Sequence, residues 1–207
     1  MSQVFLLSPA SCHGQRAALL MNPRARFALA HRLRTEGVSL GEAFTFLSGL
    51  YFRGKLEYAR AFCAPPPGVP GVLVITPGHG LVPPERPVTL ETLREFASVP
   101  IDTQERRYLE PLRGDALALQ AGAGEACRFV LLGSVATGKY AEPLAAVFGE
   151  QLVFPPAFVG RGDMSRGGLL LRCIDAGTEL EYAPLRARQH GPRPPKLLPR
   201  RRRAEGG

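Results

Sequence analysis

The segment GSVATGKY, residues 133–140, fits the phosphate-loop pattern G-x-x-x-x-G-K-[ST] at every position but the last. In that pattern successive backbone N–H groups cradle phosphate oxygens, the lysine adds a counter-charge, and the final hydroxyl holds magnesium. Ser134, Thr137, Gly138 and Lys139 would supply such a cradle, but Tyr140 stands where the serine or threonine belongs. A nucleotide hydrolase of that type also needs a later strand ending in aspartate and several more βα units. Too little chain follows Lys139 for them. The stretch therefore reads as an anion-binding loop or a structural turn, and not as the motor of an NTPase.

A second polar cluster lies in GRGDMSRGG, residues 160–168. Arg161 and Arg166 suit bidentate recognition of phosphate or carboxylate. Asp163 would activate a water or hold a sugar hydroxyl, and Ser165 adds a donor. The bland alternative is that Arg161 and Asp163 pair with each other and merely order the loop. His79, between two glycines in PGHGL, reads as a general acid/base or base-contacting residue, or as a turn histidine. Cys12 and His13 are adjacent, so their side chains diverge in an extended chain and do not form a catalytic pair between themselves. Cys12 would have to pair with His79, and a buried thiol is the simpler reading. Tyr51, Phe52, Tyr58 and Phe62 alternate with Arg53, Lys55 and Arg60. Aromatics and bases so interleaved can stack on nucleobases. At helical spacing they also describe a core stripe with a solvated basic face.

These residues need a scaffold that brings distant loops together. Short apolar runs at 4–7 (VFLL), 71–76 (GVLVIT), 128–133 (RFVLLG) and 151–154 (QLVF) lack alternation and suit strands buried on both faces. Helical segments separate them. Ser39 with Glu42 forms a capping box ahead of 43–62, Thr89 caps 90–97, and Asp102 caps 103–120, which Pro111 would kink or split. A further helix follows Gly138, with Leu144, Val147 and Phe148 on one face. GLLLRC and ELEYAP, flanking IDAGT, read as a C-terminal β-hairpin. The fold class is accordingly α/β, a three-layer α/β/α sandwich with a mostly parallel sheet. In such sheets ligands bind beyond the carboxyl ends of the strands. The loops after the first three strands and the 158–172 segment should then meet at one edge.

Composition sets the outer bounds. The chain has 207 residues, 45% hydrophobic and 21% charged, as in ordinary globular proteins. No apolar run approaches a membrane span, and the N-terminal VFLL core is too short for a leader. The four cysteines are widely spaced with no C-x-x-C pair, which points to a reducing, cytoplasmic setting and away from zinc. No resident cofactor or metal cluster is called for, and a magnesium ion would be brought by the ligand or held by Asp163 alone. The net charge of +8 is concentrated at one end: beyond residue 183, seven arginines and Lys196 face only Glu205. The expected organisation is one α/β domain over 1–183 and a disordered Pro/Arg-rich tail over 184–207, free to bind polyanions non-specifically.

Together, SCHGQRA, FLSGLYFRGKLEYA, ITPGHGLVPP, LLGSVATGKY and FVGRGDMSRGGLLLR resemble a bacterial α/β family of similar length without an assigned activity. More loosely, LLSPA and the tyrosine-bearing helix followed by GLVPP look like the peroxide-stress proteins and the uracil-DNA-glycosylase-like domains related to archaeosine synthase. The looser resemblance implies an α/β/α fold and a nucleobase or nucleic-acid setting. The water-activating aspartate motif and the H-P-S-type loop of the glycosylases are missing, so no catalytic residue transfers. The leading expectation is a phosphate-bearing ligand, a nucleotide or nucleic-acid component, held by Ser134, Thr137, Gly138, Lys139, Arg161, Ser165 and Arg166. His79 and Asp163 would serve hydrolysis or glycosidic transfer. The alternative is a non-catalytic nucleic-acid-associated protein that binds through its tail.

Overall fold

The computed structural model of the chain describes residues 1–135 and 138–185. The first half runs β1 (Gln3–Leu7), α1 (Gln15–Leu20), α2 (Ala28–Thr35), β2 (Val38–Ser39), α3 (Leu40–Ser48), α4 (Leu50–Phe62), β3 (Val72–Thr76) and β4 (Gly80–Val82). It continues through β5 (Pro87–Val88), α5 (Leu90–Ser98), α6 (Arg106–Ala123), β6 (Arg128–Leu132), α7 (Ala141–Phe148), β7 (Leu152–Phe154), α8 (Asp163–Ala176) and β8 (Ala183–Pro184).

Six strands form one sheet in the order β4-β3-β1-β6-β7-β8. The inner four are parallel, with Leu6 opposite both Leu73 and Leu131, and the edge strands β4 and β8 run antiparallel to their neighbours. Every residue of β1 and β3 is buried, as non-alternating apolar runs require when helices cover both faces. Phe5 and Leu7 enter one core with α1–α5 and Leu170 of α8. Val4 and Leu6 enter the other, with α6 and α7. The chain is an α/β sandwich with a mostly parallel sheet. Among the described residues no helix is long and apolar enough to cross a membrane.

Local signals placed most boundaries. Ser39 caps α3 by accepting from the Glu42 N–H at 3.2 Å, and Thr89 with Thr92 closes a reciprocal box on α5. Three expectations need correction. The helix expected over 43–62 breaks at Gly49, whose φ of +61° is open to glycine and strained for other residues. The helix expected from Asp102 begins at Arg106, because Glu105 rather than Asp102 caps it; it then runs through Pro111 unsplit. The C-terminal hairpin is only half present. ELEYAP does end in β8, which pairs with β7, but GLLLRC lies inside α8. Gly167, Leu170 and Leu171 are the buried positions there, a helical spacing that a short apolar run conceals. Pro184 lies in β8 and Leu185 is buried, both beyond the expected domain boundary at residue 183. The rest of the expected basic tail lies outside the described residues.

Candidate ligand site at the carboxyl edge of the sheet

The connection from β1 leads through helices on one face to β3, and that from β6 leads through α7 on the other face to β7. The strand order therefore reverses between β1 and β6, where open α/β sheets form their ligand crevice. Here the two strand ends are pressed together. The Ser8 N–H donates to the Leu132 carbonyl at 3.1 Å, and a Cβ on Gly133 would sit 2.8 Å from the Ser8 Cβ.

A second close contact brings α4 and α8 over this edge. A Cβ on Gly54 would lie 2.9 Å from the Gly167 carbonyl oxygen, and one on Gly167 would lie 2.8 Å from the Leu50 carbonyl oxygen. Only glycine at both positions lets the backbones approach this far. The crossing sets Tyr51 and Lys55 of α4 beside Asp163 and Arg166 of α8.

A cavity of about 500 Å³ opens above the crevice. The loop after β1 lines it with Ser8, Ser11, Cys12 and His13, and the turn after β3 adds Pro77. Ser134, Lys139 and Tyr140 come from the loop after β6, and Asp163 and Arg166 from the first turn of α8. Leu47, Phe96, Val99 and Ile101 make an apolar wall. The cavity thus joins a cationic polar end to an apolar flank, a common composition for small-molecule sites.

Sequence reasoning missed two groups here. Lys55 is 1% exposed, with Nζ 2.8 Å from Ser8 Oγ and donating to the Ser8 carbonyl at 2.5 Å. Its ammonium also lies 4.5 Å from the centre of the Tyr51 ring. Burial, opposed by Asp163 and aided by Arg166, pushes its pKa down from 10.5 to about 7. Lys55 is therefore no part of a solvated basic face, whereas Arg53 and Arg60 are half exposed. A signal was present: Tyr51, Lys55 and Tyr58 share one helical face, next to Gly54.

Tyr51 is 6% exposed, lines the cavity, and its hydroxyl has no hydrogen-bond partner among the described residues. Burial pushes its pKa up to about 12. The Arg166 guanidinium, 6.0 Å from the ring centre, opposes that shift without reaching hydrogen-bond geometry on the hydroxyl.

The expected site residues divide. Ser134, Lys139, Asp163 and Arg166 border the cavity. Arg166 approaches Asp163 at 3.7 Å and donates from Nε to the Phe158 carbonyl. Arg161 donates to the Ala157 carbonyl and to Ser165 Oγ, so these two order the turn before and into α8 and are not among the lining residues. Gly138, with φ +70°, shapes the turn into α7. Thr137 lies outside the described residues. His79 sits behind the wall, with Nε2 3.2 Å from Glu95 and its ring edge-on to Phe96. Cys12 borders the cavity, but burial pushes its thiol up to about 12, which suits an inert packing group. Among the described residues no three His, Cys, Asp or Glu side chains gather to hold a metal ion. Tyr140, at the position of the missing magnesium hydroxyl, precedes α7 at its N-cap position without a side-chain capping bond and borders the cavity.

No protein-family model, curated protein or solved structure matches the chain.

Proposed function

We propose that the protein binds a phosphate-bearing ligand, a nucleotide or a nucleic-acid component, in this cavity. The observation that carries the reading is the convergence of four separated segments on one cavity at the strand-order reversal. Lys139 and Arg166 supply cations, and the N-terminal ends of α7 and α8 border the same space, where helix dipoles favour anions. Ser134 is placed to donate to an oxygen. The flank of Phe96, Val99 and Ile101 suits the flat apolar body of a nucleobase. Asp163, exposed at the rim, is the acid/base group for hydrolysis or glycosidic transfer. His79 lies one layer back and bears on the site through Phe96.

Thermal-shift titration with the four ribonucleoside 5′-monophosphates tests the reading. At least one should stabilise the wild type, and Lys139→Ala or Arg166→Ala should weaken that ligand roughly tenfold to a hundredfold, as loss of a charged hydrogen bond does. Unchanged melting with every nucleotide, for the wild type and for the variants Lys139→Ala, Arg161→Ala and Asp163→Ala, would rule it out. Retained binding after deletion of residues 186–207 separates a core site from affinity supplied by the tail.

A further inference from the structure

Phosphate binding gives Lys55 no task. An amine sealed at 1% exposure costs far more than the methionine or leucine that would fill the same space. What the lysine adds is two contacts to Ser8, one to its carbonyl and one at 2.8 Å to its Oγ, on a residue that lines the cavity at the end of the central strand. We propose that Ser8 is a nucleophile and Lys55 its proton acceptor, acting on a phosphoester seated in the cavity. Only the identity of the electrophile rests on the phosphate reading above.

The geometry supports this in three ways. The Ser8 backbone is fixed by its own N–H bond to Leu132 and by the tight seat against Gly133, and the contact with Lys55 at 2.8 Å locates its Oγ. Lys55 Nζ donates one proton to the Ser8 carbonyl, which orients the nitrogen toward Oγ. The charged and titratable groups around the amine are Tyr51 on its own helix and Asp163 and Arg166 of α8; none reaches it with a hydrogen bond. The depressed pKa makes the neutral amine available near pH 7. In the step, Ser8 Oγ bonds to phosphorus, the bond from phosphorus to the leaving alkoxide breaks, and the Oγ proton passes to Lys55 Nζ. The leaving alkoxide, in line with Oγ on the far side of phosphorus, takes its proton from water in the cavity; a second water then attacks phosphorus, the phosphate leaves, and Ser8 Oγ takes back the proton that Lys55 holds.

A fluorophosphonate probe tests the pair without knowledge of the substrate. Ser8 Oγ would displace fluoride at phosphorus, with the proton taken up by Lys55. Peptide mass spectrometry should find the adduct on Ser8. Its rate in the wild type should rise about 100-fold from pH 5 to a plateau above about pH 8, following one ionisation with a midpoint near pH 7. Ser8→Ala should abolish the adduct, and Lys55→Met should slow it about 100-fold or more with the circular-dichroism spectrum retained. No adduct on Ser8, an adduct on another residue alone, or a flat pH profile in the wild type would overturn the proposal, whatever becomes of the variants. Protection by adenosine 5′-monophosphate separates the two readings. Labelling of Ser8 that the nucleotide does not slow would uphold the pair and count against the phosphate site. A nucleotide that binds while Ser8 stays unlabelled would do the reverse.

Discussion

Gly54 of α4 and Gly167 of α8 meet backbone to backbone, and a Cβ on Gly54 would fall 2.9 Å from one Gly167 atom and 3.1 Å from another. This contact lets two helices far apart in the sequence frame one cavity. Gly54→Ala should therefore destabilise the protein by about 1–3 kcal/mol through overpacking, despite alanine's better helix propensity. Gly114→Ala is the control. Nothing lies within 4 Å of a Cβ there, so the same change should add roughly 0.5–1 kcal/mol. Urea denaturation of both variants measures the contrast.

Lys55 links stability to pH with a definite sign. Its folded pKa, about 7, lies below the ordinary 10.5, so between these values the unfolded chain holds more protons and stability rises with pH. The slope approaches about 1.4 kcal/mol per pH unit at its steepest. Cys12, raised from 9.0 to about 12, opposes it at higher pH, where the unfolded thiol ionises first. Denaturant midpoints between about pH 7 and pH 8.5 should therefore increase in the wild type and lose most of that increase in Lys55→Met.

Tyr51 carries a buried hydroxyl on the cavity wall that has no hydrogen-bond partner among the described residues. Tyr51→Phe removes its desolvation cost and should stabilise the free protein by about 1 kcal/mol. If the ligand accepts or donates to that hydroxyl, the same variant will bind it several-fold more weakly. Melting temperature and ligand titration on one preparation read both effects.

Cys12 borders the cavity yet should behave as an inert thiol. With its pKa at about 12, alkylation by iodoacetamide at neutral pH should be about 100-fold slower than for a free cysteine. Peptide mapping after timed quenching measures it; rapid alkylation would show that the loop after β1 opens.

The sheet was legible because β1, β3 and β6 are buried on both faces, and burial of that kind writes an unbroken apolar run into the chain. The loops that build the cavity followed from those strands, since parallel strands send successive connections to one edge. α8 was not legible in the same way. Leu169, Leu170 and Leu171 form a run short enough for strand or helix, and the deciding term is the remote contact of Gly167 with α4. Lys55 was hidden for a different reason. Between Arg53 and Arg60 a lysine reads as surface charge, and composition does not reveal which cation is sealed beneath a neighbouring helix. Arg161 and Ser165, equally polar by type, bond each other.

The most direct measurement of the central claim is a crystal structure determined with a nucleoside 5′-monophosphate at saturating concentration. The account predicts phosphate oxygens within hydrogen-bond distance of Lys139 or Arg166 and the base against Phe96 and Ile101. Nucleotide density at another surface, with the cavity beside Ser8 and Tyr51 holding only solvent, would contradict it.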